Sequence, residues 1–317
     1  MFRSRKLLFL LVLAMLAFES VAQTNNSYNQ TNLVSDVNGV AQHTDPALVN
    51  PWGISFVPGG PFWIANNGTG TSTIYDGSGA TERHKVTILA GPNTNGPAVV
   101  TGTVANTTTG WMIDGIPSQF LFVSEDGTIT GWTGGVNAKI VVNNSATGAV
   151  YKGLATGTTA TGNFLYATNF SQNRVDVFDR NFNLVHLTGN FSDPDLPAGY
   201  APFGIANVGN NRLVITFAMQ DASKKGDVAG DGHGFVDVFD TDGTLVVRFA
   251  SQGTPNSPWG IAVSPDNFGP FSNAMLIGNF GDGTINAFDL GTHNFLGQLN
   301  NGAGRPMVID GLWGLTL

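Results

Sequence analysis

The side chains able to do chemistry are few in this chain, and the most irregular cluster of them runs Asp227-Val228-Ala229-Gly230-Asp231-Gly232-His233-Gly234. Hard cations take several oxygens from a glycine-bent loop, which makes Asp227 and Asp231, with neighbouring carbonyls, candidate calcium ligands. The stretch lacks the alternating ligands and terminal Glu of an EF-hand loop, and it also reads as a solvated turn whose charge Lys224 and Lys225 partly balance. The five histidines, His43, His84, His186, His233 and His293, show no close chelating spacing. There is no cysteine, so disulfides, thiolate metal sites and cysteine nucleophiles are excluded. Neither the Gly-x-Ser-x-Gly elbow of serine hydrolases nor a Gly-Lys-Ser/Thr phosphate loop occurs.

The elements that position these residues are announced by composition. Charged residues make up 11% of 317, well under the usual quarter or so, and glycine is abundant at 42 residues, which disfavours helical bundles and coiled coils. A hydrophobic fraction of 42%, with 22 Phe and 6 Trp, suffices for a sizeable core. The net charge of −8 offers no electrostatic footprint for nucleic acid or anionic lipid.

An internal repeat then sets the architecture. Pro51-Trp52-Gly53-Ile54 returns as Pro202-Phe203-Gly204-Ile205, Pro258-Trp259-Gly260-Ile261 and Leu312-Trp313-Gly314-Leu315, with weaker copies around Gly102 and Gly153. The six glycines are 49, 51, 51, 56 and 54 residues apart, the length that four short strands and their turns occupy. Each copy is followed by an apolar run such as Phe164-Leu165-Tyr166-Ala167. An alternating run such as Val236-Asp237-Val238-Phe239-Asp240 comes next, and then a fourth strand. Runs this apolar suit blades sandwiched between neighbours, so the expected fold is an all-β, six-bladed β-propeller of four-stranded antiparallel blades. Where Trp or Phe precedes the hub glycine, that aromatic is expected to wedge between adjacent blades. The sixth copy starts at Leu312 and the sequence stops at Leu317, so the last blade is expected to be incomplete and truncated. Asn32-Leu33-Val34-Ser35 is expected to supply its outer strand and so close the ring in part.

Loops leading into innermost strands gather around one mouth of a propeller channel. His43, Asp45 and Asn50, together with Tyr200 and Asn256, are therefore the candidate ligand-binding residues; Asp45 before Pro46 also reads as a turn cap. Asn66, Asn169 and Asn279 each follow a second strand, and their recurrence points to backbone capping.

Residues 1–22 read as a removable export signal: Arg3, Arg5 and Lys6, an apolar run from Leu7 to Phe18, then Ser20-Val21-Ala22. That run is too short to span a bilayer as a helix, so the expected product is one propeller domain over residues 23–317, secreted or periplasmic, without a membrane span. On Asp45-Pro46-Ala47-Leu48-Val49-Asn50-Pro51-Trp52-Gly53 the sequence resembles a family of exported bacterial propellers, some members of which carry a PEP-CTERM sorting tail. Through Asn173-Arg174-Val175-Asp176-Val177-Phe178-Asp179 it is more loosely similar to NHL-repeat propellers. The resemblance implies a six-bladed ring and export and assigns no activity. The expected role is a binding or interaction module with recognition at the channel mouth, its partner an extracellular or envelope ligand or protein. The alternative is a metal-assisted hydrolase or lyase with a divalent ion in the channel.

Overall fold

The computed structural model describes residues 26–82, 85–92 and 94–317; the expected signal at 1–22 and His84 lie outside them. The fold is an all-β propeller with five four-stranded antiparallel blades, not six. From the axis outward, blade 1 is Pro51–Ser55, Phe62–Asn66, Thr71–Tyr75 and Val86–Thr87. Blade 2 is Val100–Ala105, Phe120–Ser124, Thr128–Trp132 and Lys139–Asn143. Blade 3 is Tyr151–Thr159, Gly162–Asn169, Arg174–Phe178 and Leu184–Val185. Blade 4 is Tyr200–Asn207, Arg212–Met219, Gly234–Asp240 and Leu245–Ser251. Blade 5 is Pro258–Val263, Ala274–Asn279, Ile285–Asp289 and Phe295–Gln298.

The wheel nevertheless has six hub positions, because the hub is set by glycines and the sheets by pairing partners. A Cβ on Gly53 would stand 2.6 Å from the Thr101 carbonyl of blade 2, and one on Gly260 would stand 2.5 Å from the Trp313 carbonyl. A Cβ on Gly314 would meet the Trp52 carbonyl of blade 1 at 2.6 Å, which brings the circle back to its start. Glycine is required wherever two innermost segments approach this closely. Residues 312–317 thus fill the sixth hub position, with the Gly314 N–H donating to the Trp52 carbonyl at 3.0 Å, yet they form no strand. A sheet needs a second strand, and among the described residues none pairs with them.

Two further expectations are corrected. Val34–Ser35 pairs in parallel with His43–Thr44 and joins no sixth blade. The residues before it lie along the outer edge of blade 5, where the Tyr28 N–H donates to the Asn300 carbonyl (2.8 Å) and the Tyr28 ring stacks on Phe268. Nor do the hub aromatics wedge between blades. In blades 1 to 4 the innermost strand carries a two-for-one bulge at the residue pair ending in the hub glycine (52–53, 101–102, 152–153 and 203–204). A bulge re-aims the side chain it carries, here toward the axis. Trp52, Phe203, Trp259 and Trp313 meet there in one buried cluster. Contacts between blades are made by separate apolar clusters, such as Phe164, Tyr166 and Ile205 with Phe217 between blades 3 and 4.

Candidate functional site

The innermost strands start at one face of the wheel, the N-face, and end at the other, the C-face. On the N-face the axis is sealed: Trp52 stacks on Trp313 (centroids 3.4 Å), Trp313 stacks on Phe280 (3.9 Å), and Trp259 meets Trp313 edge-on (5.8 Å). Lys152 stands at the hub position that four of the six copies give to Trp or Phe. Its ammonium lies 5.1 Å from the Trp52 ring centroid and 5.6 Å from that of Phe170, and it forms an ion pair with Glu125. The Lys152 side chain is 3% exposed and that of Glu125 28%, so the carboxylate keeps contact with water while the ammonium depends on its partner.

Toward the C-face the same strands diverge around an open cavity of about 410 Å³. Its wall alternates aliphatic groups, Ile54, Leu154 and Ile205, with the polar side chains of Ser55, Thr103 and Asn207. The Ser55 and Thr103 hydroxyls bond each other at 3.1 Å, and the Asn207 amide donates to the Thr156 carbonyl at 2.7 Å. No ionisable side chain lines this cavity among the described residues. The arrangement can seat and orient a neutral molecule; it holds no group for proton transfer.

The residues expected at the channel mouth do not gather at this cavity. His43 lies in the short N-terminal pairing with Val34. Asp45 caps its own turn, accepting the Ala47 N–H (2.9 Å), and also accepts the Tyr75 hydroxyl (2.8 Å). Burial, with Asp45 nearby, pushes the Tyr75 phenol well above its ordinary value. Asn50 sits at φ 49° and donates to Asn67 Oδ1 at 3.1 Å. Tyr200 is buried edge-on against Phe235. Asn256 is buried, accepting the Gly230 N–H (2.8 Å) and donating to Asp282 (3.2 Å). It thereby ties the 227–234 stretch to blade 5. In that stretch Asp227 forms a bridge with Gln220 while Asp231 is exposed. Among the described residues no three His, Asp or Glu side chains converge as a metal-binding group. Asn66, Asn169 and Asn279 are fully buried. Asn169 accepts the Val150 N–H (3.3 Å), and Asn279 accepts the Asn256 N–H (3.1 Å) and donates to the Thr254 carbonyl (2.8 Å).

Two charged groupings escape sequence reasoning. One is Lys152–Glu125, whose only sequence signal is a lysine where four of the six copies place an aromatic. The other is Arg248 on the outer strand of blade 4, paired with both Asp237 and Asp193, two buried carboxylates. Burial raises Asp237 to about 7 against the pull of Arg248, with Asp193 adding to the rise.

Similarity to known proteins bears on the fold and on kinship. Over 299 residues, 90% of the chain, it is 37% identical to the uncharacterized protein R648 of Acanthamoeba polyphaga mimivirus and covers 72% of it. Uncharacterized protein L690 of the same virus is 36% identical over 298 residues, 90% of this chain and 77% of that one. The chain belongs to this mimivirus protein family. No family model matches it. These relatives are viral, and of the resemblance to exported bacterial propellers it is the propeller fold that the structure bears out. Among solved structures, virginiamycin B lyase from Staphylococcus aureus superposes with a TM-score of 0.51 at 14% identity, over 83% of this chain and 72% of the lyase. A catalytically inactive variant of that lyase, solved with quinupristin, gives 0.50 at 13% identity over 84% and 76%. At such identity the likeness concerns the propeller fold alone.

Proposed function

We propose that the protein is an exported binding module that takes a small, uncharged ligand in the C-face cavity. One observation carries this reading: six hub segments enclose about 410 Å³ behind a sealed N-face, and the wall mixes hydroxyl, amide and aliphatic groups with no charge among them. A concave site whose apolar wall is interrupted by fixed polar groups can orient a small molecule, and here the wall is about as polar as it is apolar. Export rests on the basic and apolar pattern of residues 1–22.

The test is thermal shift and native mass spectrometry of the full chain against neutral glycosides, lactones and cyclic dipeptides, repeated with Thr156→Trp, which fills the cavity from its wall. A ligand that binds with one-to-one stoichiometry and is lost in the variant supports the proposal. Binding that survives in Thr156→Trp, or a set of hits confined to ionised compounds, refutes it.

A further inference from the structure

The seam between blades 4 and 5 opens on the C-face as a second cavity, of about 450 Å³. Its floor is the apolar cluster that joins the two blades, with Val214 and Phe249 from blade 4 and Met275 from blade 5. Val246, Val263 and Leu290 also line it, and all three are exposed. The volume lies within the roughly 300–1,000 Å³ of small-molecule sites. The seam cavity shares no residue with the channel cavity.

The neighbouring seam shows why this one stays open. Between blades 3 and 4 the turn at 240–244 is tied across: the Tyr166 hydroxyl donates to the Thr241 carbonyl (2.6 Å), and the Thr241 hydroxyl donates to the Thr158 carbonyl (2.7 Å). In the corresponding turn of blade 5, residues 290–293 make hydrogen bonds only within 289–294 among the described residues. Arg212, the first residue of blade 4's second strand, lines the seam cavity and is half-buried. Its guanidinium donates to the adjacent Asn211 carbonyl (3.3 Å) and enters no ion pair among the described residues. Asp240, opposite Arg212 in the strand pairing, instead accepts the Thr244 N–H of its own turn (2.9 Å). His293, its ring 4.8 Å from that of Phe249, lines the cavity as well. An unpaired guanidinium beside an apolar wall favours an anion, because charge-assisted hydrogen bonds are much stronger than neutral ones.

We propose that the seam between blades 4 and 5 binds a free aliphatic carboxylate, its chain against Val214, Phe249 and Met275 and its head group accepting hydrogen bonds from Arg212. A neutral chain would leave the guanidinium unpaired, and a small inorganic anion would leave the apolar wall wet. The net charge of −8 opposes docking on an anionic lipid surface, so the occupant is a dissolved molecule. This site does not depend on the function proposed above.

The probe is decanoate, titrated calorimetrically into the full chain below its micelle threshold at about pH 8, where its carboxylate is ionised. Saturable one-to-one binding is expected. Decanol, with the same chain and no charge, is expected to bind at least about tenfold more weakly, and Arg212→Gln is expected to remove that preference. Acetate, with the head group and no chain, is expected not to saturate. Val246→Asp, at an exposed position on the wall, sets a second carboxylate against the ligand and is expected to weaken decanoate by at least about tenfold; it serves alone if Arg212→Gln does not fold. Absence of saturable decanoate binding, several molecules bound per chain, equal affinity for decanol, or saturation by acetate overturns the proposal. So does decanoate binding that is unchanged in either variant.

Discussion

Replacing Asp237 by Asn should change how stability depends on pH without changing the fold. Asp237 and Asp193 share the single guanidinium of Arg248, so with both ionised the buried group carries an excess negative charge. Burial therefore lifts Asp237 from 3.8 to about 7. A carboxyl with a raised folded value binds its proton more tightly in the native state, so its contribution is complete at low pH and is lost as pH climbs from about 4 through about 7. At roughly 1.4 kcal/mol per pH unit, the full displacement is on the order of 4 kcal/mol. Asn keeps the acceptor that Arg248 Nε uses and leaves Asp193 as the sole counter-ion. Its amide group replaces Asp237 Oδ2, a buried atom without a partner. Blade 5 already tolerates this arrangement: Asn286 occupies the same position in its third strand with an unpartnered Nδ2. Urea unfolding followed by Trp emission at about pH 5, 6, 7 and 8 should show wild-type stability falling by a few kcal/mol relative to Asp237→Asn, with the variant equal or superior at the alkaline end. The carboxylates held below their ordinary range by local hydrogen bonds, Asp76, Asp179, Asp221 and Asp289, titrate under this window and leave it undisturbed. Parallel stability curves for the two proteins would refute the reasoning, and so would an Asp193→Asn curve that fails to move toward lower pH.

Other substitutions test the hub and its charges. Glu125→Ala leaves the buried Lys152 ammonium unpaired and should cost about 3–5 kcal/mol, whereas Lys152→Met leaves a carboxylate that can reach water and should cost under about 1.5 kcal/mol; chemical denaturation of both separates the two. Gly53→Ala drives a methyl against backbone atoms at 2.6 and 2.9 Å and should destabilise by about 1–3 kcal/mol or more, while Gly77→Ala, with nothing within 4 Å, should be near neutral; their melting temperatures decide it. The Thr168 hydroxyl accepts the Gly153 N–H and donates to the Phe203 carbonyl of the next blade, both at 2.7 Å, so Thr168→Val should cost about 1–3 kcal/mol in the same unfolding assay.

The blades were legible because the same local pattern is written repeatedly: a hub glycine, an apolar run and an alternating run, each closing on a turn. The turn chemistry was legible too, as in Asp240-Thr241-Asp242-Gly243, where Gly243 takes φ 91° and Asp240 accepts the Thr244 N–H. What escaped lies between repeats. Nothing local marks Asp193, in the crossing from blade 3 to blade 4, as the partner of an arginine 55 residues later. Nothing local tells that Tyr28 belongs against Phe268, 240 residues away.

The count of blades failed for a related physical reason. A sequence period registers hub glycines, and hub glycines answer to steric contact around the axis, where six segments meet carbonyl to Cα. Sheets answer to a different requirement, a partner for each backbone edge. At five positions both conditions hold, and the repeat and the blade coincide. At the sixth only the first holds: Gly314 fits against Trp52, Leu315 packs on blade 5 and Thr316 faces a groove beside blade 1. Closure of this wheel is accordingly an affair of the hub. Trp313 completes the aromatic cluster from a segment that belongs to no sheet. A Trp313→Ala chain should therefore lose the coupling between blade 5 and blade 1, visible as faster hydrogen exchange in Pro51–Ser55 and Pro258–Val263 together, while exchange in blade 3's third strand, Arg174–Phe178, stays as it was.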